Sequence, residues 1–511
     1  MTKRPFLAFN RARPKNMKIQ SIIVLGGGSA GFTAAITLKR ILPQMNVTIL
    51  RSPEIGIIGV GEGTTPFFPS HFHQFLKLPM KEFYERAQPT WKLGIRFLWG
   101  QRDYFDYSFD QQFAKRTPGL AKNNGFYHEE SPADWCLGAG LMERSKAFSR
   151  NERGTPEITL NTTAYHIENT KLVSYLEWQA AELGVIIQNE TVEQVDREGE
   201  EITVLHLRSG GTIAADLYVD ASGFASKLLG QTLNENFHDF SDTLFCDSAI
   251  IGPRQRQENE EIQPFTTAET MDHGWCWRID HEHHINRGYV YASSFVSDEQ
   301  AEAEFRKKNP LVQQTRLVRF RSGRYARSWV GNVIAVGNAA GFVEPLEATA
   351  LMILCGQSRS LAEALVDSDA QPGPMLKNMY NRFMGERWDE IRDFLAIHYR
   401  FNNRLDTPFW QHCRENTPLH GAEEIYQFYR ENGPSMLANA IFISPNDQFG
   451  AEGYLAMFLG MQVPYQKKHQ PSEQERAILQ QHKHLIAQQA NRGASVSEAL
   501  QIVRDPRWRW A

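Results

Sequence analysis

Between Ser21 and Leu50 the apolar pattern changes twice. Ser21 to Leu25 is a short β-branched apolar run, and Val47 to Leu50 is another. Runs of that length suit strands buried on both faces. The stretch between them opens with "GGGSAG" and continues at helical spacing, so the segment predicts strand, tight turn, helix, strand. Residues 171 to 184 again have helical periodicity and end on Gly184, a residue suited to a helix C-terminus. Short alternating strands follow, up to the apolar run Leu217 to Val219 and then Asp220, Ala221, Ser222 and Gly223. An α/β sheet meets its ligand at such a carboxyl edge. Residues 240 to 300 are aromatic and β-rich, whereas 333 to 354 runs from strand through a glycine turn into an apolar helix. From about 380 the pattern is mostly helical and polar, and 467 to 490 predicts a solvated helical face.

Composition narrows the class. A chain of 511 residues exceeds one simple core and predicts two to three modules. With a net charge of -4, neither nucleic acid nor an anionic membrane has an electrostatic handle. No apolar run reaches the ~18 to 20 residues that span a bilayer. Five scattered cysteines without CxxC spacing suit a reducing compartment, and the expected location is cytoplasmic. Residues 1–17 are basic but lack an apolar segment, and read as a disordered extension with Met17 as an alternative start. A monomer or homodimer is expected.

Gly26, Gly28 and Gly31 satisfy G-x-G-x-x-G, enclosing Ser29 and Ala30, between two predicted strands. That context predicts dinucleotide binding, with the helix start facing the phosphates. One position departs. The second strand should end in an acid for the ribose, but here Arg51 and Ser52 follow it. A guanidinium cannot accept from a hydroxyl. Either Ser52 or a carbonyl takes over, or the adenosine pocket is altered. Only one fingerprint is present, so a flavin reduced from elsewhere fits better than a resident nicotinamide. A second glycine loop, Gly59, Gly61 and Gly63 in "GVGEGTTP", lets the backbone pass close to something flat.

Four stretches together resemble the flavin-dependent halogenases of the tryptophan halogenase type: "GGGSAG", "GVGEGTTP", "GWCWRID" at 274–280 and "GNAAGFVEPLEATA" at 337–350. Echoes recur in "GYVYASSFVSDEQA", "HYRFNNRLDTPFW" and "FGAEGYLAMFLGM", so the resemblance runs from about 18 to 465. It implies an aromatic-hydroxylase-like α/β fold. Residues 18–380 would form a doubly wound FAD-binding module with an inserted antiparallel sheet over the substrate, and 381–511 a helical C-terminal part. It also implies FAD, supplied reduced by a separate flavin reductase. The cofactor would lie against Gly26, Gly28, Ser29, Ala30, Gly31 and the Arg51 region. Gly61, Glu62, Gly63 and Thr64 would run beside the flavin on one side, and Gly337, Asn338, Gly341 and Phe342 on the other.

In that family, reduced flavin and oxygen give a C4a-hydroperoxide that converts halide into hypohalous acid. A lysine then holds or carries the oxidant beside a small aromatic substrate, with a glutamate assisting. The glutamate matches Glu347 in "PLEATA". Ala348 replaces the usual serine, and the halide-binding amides map to Thr349 and Ala350. Counting from "GEGTTP", the lysine falls on Ser70. Conceivable substitutes are His71 or His73, Lys77 two helical turns on, or Lys92 in "WKLGIRF". Family members also carry a lysine at the Lys92 position, which reads as structural. Trp275 and Trp277, side by side on one strand face, either shield the flavin or pack the core. Tyr104 and Phe109 either line an aromatic pocket or pack an edge. "DHEHH" at 280–284 reads as a turn and no metal is expected. Three functions compete: halogenation; oxygen transfer by a flavin monooxygenase, favoured by Ser70, Ala348 and Asp280, the last standing where the family's "GWCWRID" motif closes with proline; and a non-catalytic flavoprotein.

Overall fold

The computed structural model describes residues 18–56, 61–128, 135–159, 162–437, 441, 443 and 447–510. Gly59 and the expected extension at 1–17 lie outside the described residues. A six-stranded sheet carries the first half of the molecule, in the order Trp329–Val330, Val333–Ala335, Leu217–Asp220, Ser21–Leu25, Asn46–Arg51 and Ile186–Asn189. All pairs are parallel except the terminal hairpin. Alternation along each strand divides its side chains between two cores. Ile22, Val24, Val47, Ile49, Leu217 and Val219 face the helices Ser29–Ile41, Asn169–Glu182 and Ala350–Asp367. Ile23, Leu25, Leu50 and Tyr218 face the other way, against Val192, Ile202 and Leu205 of a small antiparallel sheet. Buried on both sides, these strands need continuous apolar runs, which is how they read in the sequence.

The inserted sheet has seven strands: Arg316–Arg319, Ser248–Gln255, His284–Tyr291, Gly274–Asp280, Thr266–Met271, Gly94–Leu98 and Phe105–Ser108, in that spatial order. Every neighbouring pair is antiparallel except Thr266–Met271 with Gly94–Leu98. Trp275 and Trp277 share one face of this sheet, packed with Phe97, Trp99, Phe394, Ile397 and Trp410. Cys276, Tyr289 and Ile250 face away, against Phe305. The helical region thus shares a core with the sheet. Its largest helix, Pro374–Phe401, passes unbroken through residue 380, where the sequence placed a boundary.

A three-stranded ribbon joins the two large sheets. Ala164–Ile167 lies between Glu62–Gly63 and Thr90–Lys92, both antiparallel to it. This ribbon brings the second glycine loop alongside Lys92.

Two glycines of the first turn are fixed by close packing. A Cβ on Gly31 would lie 1.9 Å from the carbonyl oxygen of Gly26, and one on Gly26, at φ +131°, 2.2 Å from that of Ala221. Gly28 meets nothing within 4 Å. Gly31→Ala is therefore expected to destabilise by about 1–3 kcal/mol, read as a lowered Tm. Gly28→Ala should cost under about 1 kcal/mol.

Candidate active site

The first glycine turn has the form of a diphosphate cradle. Helix Ser29–Ile41 starts at Gly28, no side chain caps it, and the space over Gly28 is open. Unpaired N–H groups and the positive end of the helix dipole then face outward at Ser29 and Ala30. FAD fits this arrangement. Gly337, at φ +58°, packs the "GNAAGF" turn against Ala30, where its Cβ would come within 3.0 Å. Asn338 lies within that turn. Gly341 and Phe342 serve a strand edge: a Cβ on Gly341 would lie 2.9 Å from the Gly323 carbonyl oxygen, and Phe342 packs edge-on to Phe224. Arg51 is not free for a ribose. Its Nε donates to Asn189 and an Nη to Glu177, both at 2.7 Å, and its stem lies against Gly27.

The second loop is pinned by its neighbours. Thr64 exchanges two hydrogen bonds with the backbone of Tyr165, its N–H donating to the carbonyl and its hydroxyl accepting from the amide, each 2.9 Å. Glu62 accepts from Asn169 at 3.1 Å, and burial pushes its carboxyl up to about 7. Gly61, at φ +78°, leaves no room for a side chain, since a Cβ would lie 2.2 Å from Asn286 Nδ2. A Cβ on Gly63 would come within 3.3 Å of Lys92 Nζ and 3.6 Å of the Ala348 methyl. Gly63 is thus the point where lysine and glutamate segments converge.

Beyond it lies a cavity of about 770 Å³. Its walls are Thr65 to Phe67, Tyr107 to Phe109, Glu347, the helix face Met352 to Arg359, Phe383 to Arg387, and Phe449 with Glu452. Lys92 is completely buried, and its Nζ has no hydrogen-bond partner among the described residues. The ammonium lies 5.4 Å from the ring centroid of Phe109. Burial lowers its pKa from the ordinary 10.5 to about 7, and the Glu347 charge pulls in the opposite direction. Lys92 was read as structural from the sequence. The structure places it, buried and without a hydrogen-bond partner among the described residues, within the field of Glu347 and behind the cavity residue Phe109, which a purely packing role does not require.

Glu347 ends the short turn Pro345–Glu347, and Ala348 follows in the left-handed region at φ +56°. Glu347 Oε1 is 2.7 Å from His398 Nε2, and His398 Nδ1 is 2.9 Å from the Phe394 carbonyl. A carbonyl only accepts, so Nδ1 carries a hydrogen. The Glu347–His398 contact therefore holds one proton between its two atoms. His398 stood in the quoted "HYRFNNR" stretch, but nothing local to it showed that its partner would be 51 residues away in sequence. Glu344, the other acid of the motif, serves packing. It accepts from Trp275 Nε1 at 2.6 Å and Tyr399 Oη at 2.5 Å, and burial pushes its carboxyl up to about 7.

The remaining expectations divide. Ser70 opens a π-helical segment, Ser70–Phe75, and its hydroxyl donates to Gln74 at 3.0 Å. Lys77 is exposed, at φ +55°. Neither lines the cavity. His71 is buried 3.0 Å from Thr37 Oγ1, away from Glu347. Phe109 does line the cavity, whereas Tyr104 stacks under Arg96 and donates to Glu143. Thr349 is buried, and Ala350 begins a helix that no side chain caps. Among the described residues there is no group of three or more potential metal ligands, the five cysteines are buried free thiols, and no helix is long and apolar enough to cross a membrane.

A glycine-cradled helix start on a parallel sheet, with a dry lysine and glutamate beside an aromatic-walled cavity, defines an FAD-using oxidoreductase. The family model described as tryptophan halogenase matches residues 21–476, and the chain belongs to that family. Tryptophan 7-halogenase RebH of Lentzea aerocolonigenes is 31% identical over 450 residues, covering 81% of this chain and 82% of the relative. Tryptophan 7-halogenase KtzQ of Kutzneria sp. (strain 744) is 32% identical over 447 residues, 82% and 83% of the two chains. Among solved structures, MibH, described as a lathipeptide tryptophan 5-halogenase, superposes with a TM-score of 0.87 at 35% identity, covering 96% of this chain and 94% of its own. BrvH, a flavin-dependent halogenase from Brevundimonas sp. BAL3, gives 0.83 at 25% identity, over 95% and 99%.

The Lys92 ammonium makes a sharp stability prediction. Its pKa is depressed on folding, so the unfolded chain binds the extra proton between pH 7 and 10.5. Stability therefore rises with pH across that window, and the full penalty applies below it. Lys92→Met should raise the Tm by a few degrees at pH 7, with the gain vanishing towards pH 10. A lysine kept for structure would give the reverse.

Proposed function

We propose that the protein halogenates an electron-rich aromatic ring held in the cavity, with Lys92 as the residue that presents the oxidant and Glu347 as the base. One observation carries this: a buried ammonium, without a hydrogen-bond partner among the described residues, next to two residues that line an aromatic cavity, Glu347 and Phe109. Oxygen transfer is favoured by Ser70, Ala348 and Asp280; Lys92 answers the first, and Asp280 is held by Arg256 and Arg278.

Bound reduced flavin supplies, with dioxygen, the oxidising equivalent that turns halide into hypohalous acid. The chain does the rest. Backbone amides at Thr349 and Ala350, on an uncapped helix start, suit a halide. Lys92 donates a hydrogen bond to the oxygen of hypohalous acid and strengthens the halogen as an electrophile. The low dielectric around the buried ammonium enlarges that effect. The halogen then passes to a ring carbon. Lys92 gives its proton to the departing hydroxide, which leaves as water. Glu347 takes the ring proton and returns it to Lys92, and the proton shared with His398 keeps the carboxylate oriented. Tyr107 and Phe109 hold the ring between them and Phe449. With a single dinucleotide cradle, reducing equivalents arrive from a separate flavin reductase, and a cytoplasmic setting suits the free thiols.

The test supplies FAD, a flavin reductase, NADH, oxygen and a panel of indoles and phenols, with chloride, bromide or no halide. Mass spectrometry should show halogen isotope patterns that need halide. A gain of oxygen irrespective of halide sinks the proposal. Lys92→Met and Glu347→Gln should each lower halogenation at least about 100-fold while reduced flavin is still oxidised. Because the ammonium form acts and its pKa lies at about 7, the rate should fall as pH rises from 7 to 9. A rate that climbs over that range would assign the work to the neutral amine.

A further inference from the structure

The cavity continues into a surface track between two antiparallel helices. Helix Ala350–Asp367 contributes Arg359 and Glu363 to its wall, and helix Pro374–Phe401 contributes Phe383 and Arg387. From Phe383 outward the second helix carries an apolar ridge at intervals of four: Phe383 is 37% exposed, Met379 50% and Met375 70%. Residues so spaced lie on one helix face. A ridge that grows more exposed with distance from Glu347 is unneeded by the core, and it is continuous with the site.

Charge limits what the track can receive. The cavity is lined by four acids, Glu347, Glu363, Asp447 and Glu452, against two arginines, Arg359 and Arg387. Both arginines are already engaged: Arg359 with Glu363 at 2.8 Å, and Arg387 with Glu390 at 2.6 Å. A free amino acid is a zwitterion: its ammonium could meet one of these acids, but its carboxylate would enter an excess of negative charge with no unengaged cation among the lining residues. Inside a peptide the same group is a neutral amide. Two or three neighbouring residues could also lie along the Phe383–Met379–Met375 ridge, an interaction closed to a free amino acid.

We infer that the substrate is an aromatic side chain carried on a peptide, inserted into the cavity while its apolar neighbours dock on the ridge of Met375, Met379 and Phe383. This rests on the halogenase reading. It also predicts sequence preference: an acid beside the aromatic residue is disfavoured by the lining charge.

Calorimetric titration would compare four probes: an acetylated and amidated hexapeptide with one tryptophan among leucine and alanine, the same peptide with aspartate on both sides of the tryptophan, free L-tryptophan, and indole. The neutral peptide should bind at least tenfold tighter than free tryptophan and than the aspartate peptide. Met375→Glu with Met379→Glu, both on the surface and outside the cavity wall, should weaken the neutral peptide at least tenfold, leave indole binding unchanged and keep the Tm. Equal affinity for free tryptophan, or a double variant without effect on the peptide, overturns the inference. So does a double variant that dissociates a dimer without changing peptide affinity. Halogenation is read in parallel. Indole halogenated with no peptide preference overturns the peptide assignment alone, whereas ridge-dependent peptide binding with no halogenated product from any probe overturns the halogenase reading alone.

Discussion

An ammonium ion in a dry interior raises the free energy of the folded state, and only a nearby opposite charge or a set of acceptors offsets it. Lys92 has the first and lacks the second. Its charge feels Glu347, but its three N–H donors find no acceptor among the described residues. The arrangement persists because Thr90–Lys92 is one edge of a ribbon whose other edge is Glu62–Gly63, and both strands are registered on Ala164–Ile167. Lys92 cannot reach water without breaking that pairing. The two large sheets, the glycine loop and the Pro345–Glu347 turn all converge on this one unsatisfied group.

Buried charges elsewhere are handled differently. Asp280 is fully buried yet accepts from both Arg256 and Arg278, at 2.8 and 2.7 Å. Glu344 is closed off by an indole and a phenol. Asp220, at the carboxyl edge of the parallel sheet, accepts from the amides of Leu228, Leu229 and Ser222. Each of these acids accepts from at least two donors, although both donors of Glu344 go to one oxygen and leave Oε1 without a partner among the described residues. Lys92 differs in having no hydrogen-bond partner at all among the described residues. The ion pairs of Asp280 also explain why "GWCWRID" ends in a different residue from the family pattern without disturbing the site: Asp280 is consumed by two arginines some distance along the strand.

Two structural decisions follow from the shared core of sheet and helices. Trp275 and Trp277 sit in that core, and the former is spent on Glu344, so their conspicuous motif chiefly fixes the sheet against helix Pro374–Phe401. The same helix brings His398 to Glu347 at one end and carries the exposed methionine ridge at the other. A single helix thus links Glu347 to that exposed ridge.

Much of this was legible along the chain. The continuous apolar runs at 21–25, 47–50 and 217–219 specify strands buried on both faces, and Gly26, Gly28 and Gly31 specify the turn between them, because these are local properties of spacing and backbone freedom. Glu347 could be placed because its motif is contiguous. The lysine could not. Counting residues along "GEGTTPFFPSHF" assumes that the partner lies on the same element, and that led to Ser70, whose hydroxyl only meets Gln74. The true neighbour arrives from a strand 29 residues beyond Gly63, through a ribbon whose register depends on Ala164–Ile167. His398 was hidden for the same reason. The sequence by itself determined the cradle, the strands and the acid, since each depends on neighbours within one turn or one strand. Tertiary structure alone decided which lysine is dry, which histidine shares the glutamate's proton and where the cavity opens, since burial and charge coupling depend on segments that only the folded chain brings together.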